Sequence, residues 1–370
     1  MTSIGRSVVT AAIFSATLFV PAATTASGAP AVARGEPCTR QSLSPRPAWL
    51  SAAIWVPRAG NILAVDAAMN RLILYTPDGK GTILPEPEGE YPALLTNSGD
   101  RILVKLVGKE VVSLDTSLSS RRSHSLLEST RTPLGPLNAV YQWAGVDHQI
   151  LAFGLVRAPN LPRGYQPGLF RIPTAGRADA DLLQRVYSWD YYVLGYQYLT
   201  SINSGYGYFL NMDKGEARLF EIAPRAVSPQ LLPDAVPPGF RDVPPINAKM
   251  NGPKDAPALY ASLEQMRIVA GIYGGPDGSL YVLAREPAPK GATDWWLFRI
   301  EKGKVVGKAH LPTAAKHLSI VTAPATFYLI ERGDVDSIGG QDINSLVAVP
   351  SSLLERALPQ GTEICPSLRQ

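Results

Sequence analysis

Short runs of apolar residues alternate with turn-forming residues along most of the chain. The runs are rich in Val, Ile, Leu, Tyr and Phe, as at residues 62–65, 206–212 and 295–300. The 32 glycines and 33 prolines are scattered between these runs. Long stretches with the helical period of about 3.6 residues are nearly absent. The pattern therefore predicts an all-β protein whose strands are joined by tight turns.

Two distant segments repeat the same order of elements. Residues 59–75 and 276–300 each run from a turn through a strand and a loop into a second strand, and a glycine turn and a third strand follow each. Four-stranded units that recur about every 40–60 residues are typical of β-propeller blades. The chain length allows six or seven such units, and six are expected near 52–97, 98–144, 145–200, 201–265, 266–323 and 324–361.

The last expected unit is short, so a strand at about residues 48–56 is expected to complete it and close the ring. A β-sandwich also contains many short strands and is the alternative fold. The absence of an obvious linker favours one ring, and a six-bladed β-propeller is the fold we predict.

The N-terminus has the pattern of a secretory signal peptide. Arg6 is the only charge in the first 33 residues, residues 8–20 are apolar apart from Ser and Thr, and Ala31-Val32-Ala33 closes a segment of small residues. We expect a Sec-type signal peptide over residues 1–33 and one propeller domain over residues 34–370. An uncleaved anchor is the alternative, but the apolar run is too short to cross a bilayer. The mature chain is thus expected to be secreted or periplasmic, without a membrane span.

Charge and cysteine content narrow the possible partners and the compartment. The 35 basic and 31 acidic residues give a net charge of +4 without a long basic run, so no nucleic-acid partner is expected. The only cysteines, Cys38 and Cys365, lie near the two ends of the chain. In an exported protein a disulfide between them is the expected arrangement, with two buried thiols as the alternative. Such a bond requires the chain ends to meet, as they do in a ring-shaped fold.

One stretch resembles a known repeat. Residues 60–81 resemble an NHL-type repeat, whose relatives include the SMP-30/gluconolactonase group, and Asp66, Asn70-Arg71 and Asp78-Gly79 match the repeat's positions. The resemblance implies a six-bladed propeller in which the Asp and the Asn-Arg pair brace the loop between them. The lactonase branch implies a metal-binding Glu at the start of the first blade, but residues 50–57 contain no acid. We therefore expect no metal site and no cofactor.

Catalytic residues do not emerge from the sequence. No nucleophile elbow, zinc-protease, redox or phosphate-loop motif is present, and the four histidines share no metal-ligand spacing.

Aromatic residues are concentrated in one segment, since seven of the 15 tyrosines fall within residues 187–209. Tyr and Trp rings can stack on sugars or flat ligands, although they also fill the core between blades. The candidate ligand-binding residues are Trp143, Trp189, Tyr191, Tyr192, Tyr196 and Tyr206.

These features favour an exported, non-enzymatic propeller that binds a small molecule, a glycan or a protein. The alternative is a hydrolase, lyase or lactonase that uses the central channel. The two hypotheses differ in whether carboxylates or histidines converge with metal-ligand geometry. A propeller brings distant inner strands together, so only the fold can test for such a set.

The mature protein is expected to begin at Arg34 and to hold Cys38 and Cys365 in one disulfide. Intact-mass and peptide mapping of exported protein under non-reducing conditions measures both features. A mass that includes residues 1–33, or two thiols that can be alkylated in the unreduced protein, would contradict this prediction.

Overall fold

The structure is a computed structural model. It describes residues 38–85, 92–98, 101–106, 111–118, 121–124, 130–146, 149–160, 164–174, 179–186, 197–202, 205–213, 215–243, 265–275, 277–289, 292–336 and 340–368.

Six antiparallel sheets, which we number as blades 1–6, make up the described part of the chain. Blade 1 contains β2 (Leu50–Val56), β3 (Asn61–Asp66), β4 (Arg71–Tyr75) and β5 (Gly81–Ile83). Blade 2 contains β6 (Pro92–Ser98), β7 (Arg101–Leu106), β8 (Val111–Asp115) and β9 (Arg121–His124). Blade 3 contains β10 (Arg131–Thr132), β11 (Gly135–Val146), β12 (Gln149–Arg157), β13 (Tyr165–Pro173) and β14 (Asp181–Arg185).

The other three blades follow in chain order, except for one strand. Blade 4 contains β15 (Tyr198–Ser201), β16 (Gly207–Asp213), β17 (Glu216–Ile222) and β18 (Gln230–Leu231). Blade 5 contains β19 (Ile268–Gly274), β20 (Leu280–Pro287), β21 (Thr293–Glu301) and β22 (Lys304–His310). Blade 6 contains β23 (His317–Ala323), β24 (Thr326–Asp336), β25 (Gly340–Pro350) and the first strand of the chain, β1 (Thr39–Gln41).

The innermost strands of the blades form a closed ring. In the order β2, β6, β11, β15, β19 and β23, each strand contacts the next, and β23 contacts β2 again. This arrangement is a six-bladed β-propeller, as predicted. The seven-bladed and sandwich alternatives are therefore wrong.

Apolar side chains fill the space between neighbouring blades. Six buried clusters combine residues of blades 1 and 2, 2 and 3, 3 and 4, 4 and 5, 5 and 6, and 6 and 1. Both faces of a blade pack against neighbours, so central strands such as β3 and β12 are buried on both faces. This explains why their sequences are continuous apolar runs, whereas the outer strand β22 alternates between exposed and buried positions.

Blade 6 is completed by the N-terminal strand. β1 pairs antiparallel with β25, and Thr39 lies opposite Ala348. The predicted disulfide joins Cys38 to Cys365, with their Cα atoms 6.2 Å apart. Nη2 of Arg40, on β1, lies 2.8 Å from Oε1 of Glu331, on β24. Both ends of the chain are therefore fixed to the same blade.

The expectation that residues 48–56 close the ring is wrong, because Leu50–Val56 is the innermost strand of blade 1. Four of the expected unit boundaries are also wrong. Those after residues 97, 144 and 200 fall inside β6, β11 and β15, and the one after residue 323 separates β23 from its own blade. The physical reason for the first error is the carboxylate of Asp66. Its Oδ1 accepts the backbone N–H groups of Ala48 and Trp49 at 3.1 and 2.9 Å, which fixes the start of β2 beside β3.

Asp66 also braces the loop between β3 and β4, as the repeat resemblance implied. Its side chain is fully buried, and its Oδ2 accepts Nε of Arg71 at 3.0 Å. Asn70 takes the left-handed conformation in this turn, with φ of 53°. Asp78-Gly79 forms the next turn, where Gly79 has φ of 83° and a Cβ would lie 2.6 Å from the carbonyl oxygen of Ser42.

One helix, α1 (Ser351–Gln360), follows β25 and packs against β22. It ends at Gly361, which has the left-handed conformation expected of a helix C-terminus. A short 3-10 helix, Pro366–Leu368, comes after it. Within the described ranges, no helix has both the length and the apolar character needed to cross a bilayer.

Replacing Asp66 by Asn should lower the free energy of unfolding by about 3 kcal/mol, because the half-buried Arg71 loses the charge that pairs with it. Urea denaturation followed by tryptophan fluorescence measures the change. Asp78→Asn is the control: it removes the same charge from an exposed pair with Lys80 and should change stability little. Equal effects of the two variants would contradict the bracing role.

Candidate functional site

The ring of inner strands encloses a central channel of about 740 Å³. All six inner strands contribute to its wall. The described residues that bring polar side chains to this wall are Ser51, Thr96, Asn97, Gln142, Tyr198, Thr200, Ser201, Tyr273, Ser319, Thr322 and Arg332. Most are neutral hydroxyl or amide groups, so the channel can donate and accept hydrogen bonds.

Some of these polar groups bind the next inner strand. Nδ2 of Asn97, on β6, donates to the carbonyl oxygen of Trp55, on β2, at 3.2 Å. Oγ1 of Thr96 accepts the backbone N–H of Gly145, on β11, at 2.6 Å. These bonds link blade 1 to blade 2 and blade 2 to blade 3 around the channel.

Gly274 makes the corresponding links on the other side of the ring. Its N–H donates to Oγ1 of Thr200, on β15, at 3.2 Å, and its carbonyl oxygen accepts Oγ1 of Thr322, on β23, at 2.7 Å. A Cβ at this position would lie 2.2 Å from the carbonyl oxygen of Ser201. Blades 4, 5 and 6 therefore meet at a point where only glycine fits.

Two tyrosines of the channel wall lie near one cation. Tyr198 begins β15, and Tyr273 lies near the end of β19. Both line the channel together with Arg332, and a negative charge on either phenol would raise the pKa of the guanidinium. A Cβ on Gly271 would lie 2.8 Å from the hydroxyl oxygen of Tyr273, so the phenol lies along the wall over this glycine. Burial raises the pKa of Tyr273, and both a backbone hydrogen bond with Ile320 and the charge of Arg332 oppose that rise.

Arg332 is the one charged residue among the described residues that line the channel. It lies on β24, opposite His317 of β23, next to a bulge in the pairing with β25. The side chain is half-buried, and its Nε is buried with no hydrogen-bond partner among the described residues. Burial lowers the pKa of the guanidinium from its usual value, while the two tyrosines act in the opposite direction.

The residues of the wall do not fit a divalent metal ion. Such ions prefer converging carboxylate or imidazole ligands, and the described lining residues include neither group. The start of the first blade, where the lactonase resemblance implied a Glu, is β2, and its residues Leu50–Val56 are neutral. A guanidinium in the channel also repels a cation.

The predicted aromatic residues are placed as follows. Trp143 contributes to the channel wall, but its side chain is 5% exposed and belongs to the buried cluster of blades 2 and 3. Tyr206 is half-buried and packs against the cluster of blades 4 and 5. Trp189, Tyr191, Tyr192 and Tyr196 lie outside the described residues.

Sequence reasoning missed Arg332 and Tyr273. Their signals are weak, since a lone Arg in a strand and a Gly-Ile-Tyr sequence are common. Gly271 and Tyr273 are two residues apart, so the sequence places both on the same face of a strand. It does not show that this face lines the channel.

No protein-family model matches the sequence, and no curated protein matches it. Among solved structures, a gluconolactonase from Xanthomonas campestris is similar, with 13% identity, a TM-score of 0.50, and coverage of 84% of this chain and 88% of that chain. A candidate gluconolactonase is 11% identical, with a TM-score of 0.50 and coverage of 86% and 93%. At this identity the similarity establishes a shared propeller fold, as the resemblance of residues 60–81 implied, and nothing about activity.

Thr200→Val and Thr322→Val should each lower the free energy of unfolding by about 1 kcal/mol, because each removes one hydrogen bond between inner strands. The measurement is chemical denaturation of the purified variants. Ser319→Ala is the control, since Ser319 lines the channel without joining the interstrand bonds described above. A loss in the control as large as in the two variants would contradict the assignment.

Proposed function

We propose that the protein binds a small, hydrogen-bonding molecule in its central channel and releases it chemically unchanged. The observation that carries the proposal is the composition of the wall, where hydroxyl, amide, phenol and guanidinium groups surround a space of about 740 Å³. Polar groups that converge on a concave space can fix the orientation of a bound molecule. Binding rather than catalysis is favoured because the described wall residues include no carboxylate and no imidazole that could act as a general base or hold a metal ion.

The alternative is a lactonase-like hydrolase, which the similar gluconolactonase structures suggest through the fold alone. Hydrolysis of a lactone needs a group that activates water. The neutral residues of β2 and the guanidinium of Arg332 are poorly suited to that role. The proposal therefore expects no metal-dependent lactone hydrolysis.

We also infer that the protein works outside the cytoplasm. The signal-peptide pattern of residues 1–33 and the Cys38–Cys365 disulfide support this inference, since disulfides persist in oxidising compartments. The ligand would then be a molecule met outside the cell or in the periplasm.

The probes are glucose, glucosamine and glucuronate. They share one sugar ring but are neutral, positive and negative, so they test binding at three ligand charges. At least one should bind the purified protein in isothermal titration, and Ser319→Trp should weaken that binding by occupying part of the channel. Val306→Trp is the matched control, since it adds the same side chain at a position that is 50% exposed on the outer strand of blade 5.

Failure of all three sugars to bind would contradict the proposal, as would equal loss of binding in both Trp variants. Hydrolysis of glucono-1,5-lactone that stops on addition of EDTA would contradict it in favour of the enzyme.

A further inference from the structure

Arg332 is a half-buried cation for which the described residues offer no opposite charge. Arg332 forms no ion pair and no hydrogen bond with the described residues, and its Nε is fully buried. The nearest acid in sequence, Glu331, is already engaged by Arg40 of β1 and by the hydroxyl of Ser345 on β25. That carboxylate holds the closing strand of the ring, and successive side chains of a strand point to opposite faces, so Glu331 is not placed to pair with Arg332.

Arg171 shows what a structural role of a buried arginine looks like. It is 6% exposed and donates from Nη1 to the carbonyl oxygen of Ala226 at 2.7 Å and from Nη2 to that of Ala223 at 3.0 Å. Those bonds tie blade 3 to the segment after β17. Arg332 makes no comparable contacts with the described residues, so these residues do not explain its position.

Removing a charge from water without a partner costs free energy, and such arrangements are concentrated at functional sites. We propose that Arg332, with the hydroxyl groups of Tyr198 and Tyr273, binds the oxyanion of a channel ligand, either a carboxylate or a phosphate. This inference rests on the proposed function, because it names the chemical class of the molecule in the same channel.

The three groups suit an oxyanion. A guanidinium presents a planar fork of N–H donors that matches two oxygens of a carboxylate or phosphate. Tyr198, Tyr273 and Arg332 come from blades 4, 5 and 6, so they approach the channel from three neighbouring sectors of the ring. The absence of carboxylates among the described wall residues leaves an entering anion without a like charge to repel it.

Gly271 positions the tyrosine of this set. The phenol of Tyr273 occupies the space beside the Cα of Gly271, where a methyl group would meet it at 2.8 Å. Gly271 is thus a positioning residue for the oxyanion site, and any larger side chain there moves the Tyr273 hydroxyl.

The experiment measures binding of sodium phosphate and sodium acetate to the purified protein by isothermal titration, at constant ionic strength set with sodium chloride. We expect the wild type to bind at least one of the two anions, and which one it prefers tells a phosphate ligand from a carboxylate ligand. Arg332→Met should weaken that binding by at least about tenfold, the loss expected for a charged hydrogen bond. Arg332→Lys should recover only part of it, because it restores the charge without the fork.

The stability of the Arg332→Met variant shows whether Arg332 binds a ligand or supports the fold. Arg332→Met should leave the denaturation midpoint unchanged or raise it, because an uncompensated buried charge is replaced by an apolar chain of similar length. Arg171→Met is the matched control and should show the opposite pattern, with lower stability and unchanged anion binding. If Arg332→Met does not fold, Tyr273→Phe replaces it. Because this variant also removes the hydrogen bond with Ile320, the expected result is weaker anion binding in a folded protein with a lower denaturation midpoint.

The outcomes distinguish the two proposals. If glucose and glucuronate bind equally well and Ser319→Trp weakens both, the channel binds ligands and the oxyanion inference is wrong. If neither the sugars nor the anions bind, both proposals fail. Anion binding that survives Arg332→Met also overturns the inference.

Discussion

Closure of the ring is the constraint on which the rest of the structure depends. Blade 6 takes three strands from the C-terminal part of the chain and one, β1, from its beginning, and the Cys38–Cys365 disulfide lies beside that strand. The disulfide closes a loop with a sequence separation of 327 residues, for which the chain-entropy model gives at most about 5–6 kcal/mol. Closure places β23 against β2, completes the buried cluster between blades 6 and 1, and gives the central channel its last wall. An open arc would leave both of its terminal blades with an apolar face in water.

The inner strands show how the same residues serve both the ring and the channel. Thr96, Asn97, Thr200 and Thr322 face a polar space, yet their hydrogen bonds run to the backbone of the neighbouring blade. These side chains satisfy backbone groups that the inner edge of each sheet leaves without a ladder partner. Tyr198, Tyr273 and Arg332 also line the channel, and Arg332 is the one charged residue among the described lining residues.

Sharing a propeller with gluconolactonases says little about what this channel does. The fold supplies a ring of six inner strands, but the side chains on those strands decide the chemistry. In this chain the first inner strand carries Ala, Ile and Trp, and Arg332 is the one charged residue among the described residues that line the channel. A guanidinium repels cations and attracts anions, so a shared backbone does not imply a shared site chemistry.

The sequence by itself determined the features that depend on local residue patterns or on the number of cysteines. Alternating apolar runs and turns gave the strands, residues 60–81 gave one blade with its Asp66 brace, and two terminal cysteines gave the disulfide. It did not determine which strand closes the ring, because residues 39–41 and 50–56 are both short extended segments and only the buried carboxylate of Asp66 fixes the second to blade 1. The tertiary structure alone brings the side chains of three distant residues to the channel wall. Tyr198, Tyr273 and Arg332 are far apart along the chain and meet only because radial blades bring successive inner strands to one axis.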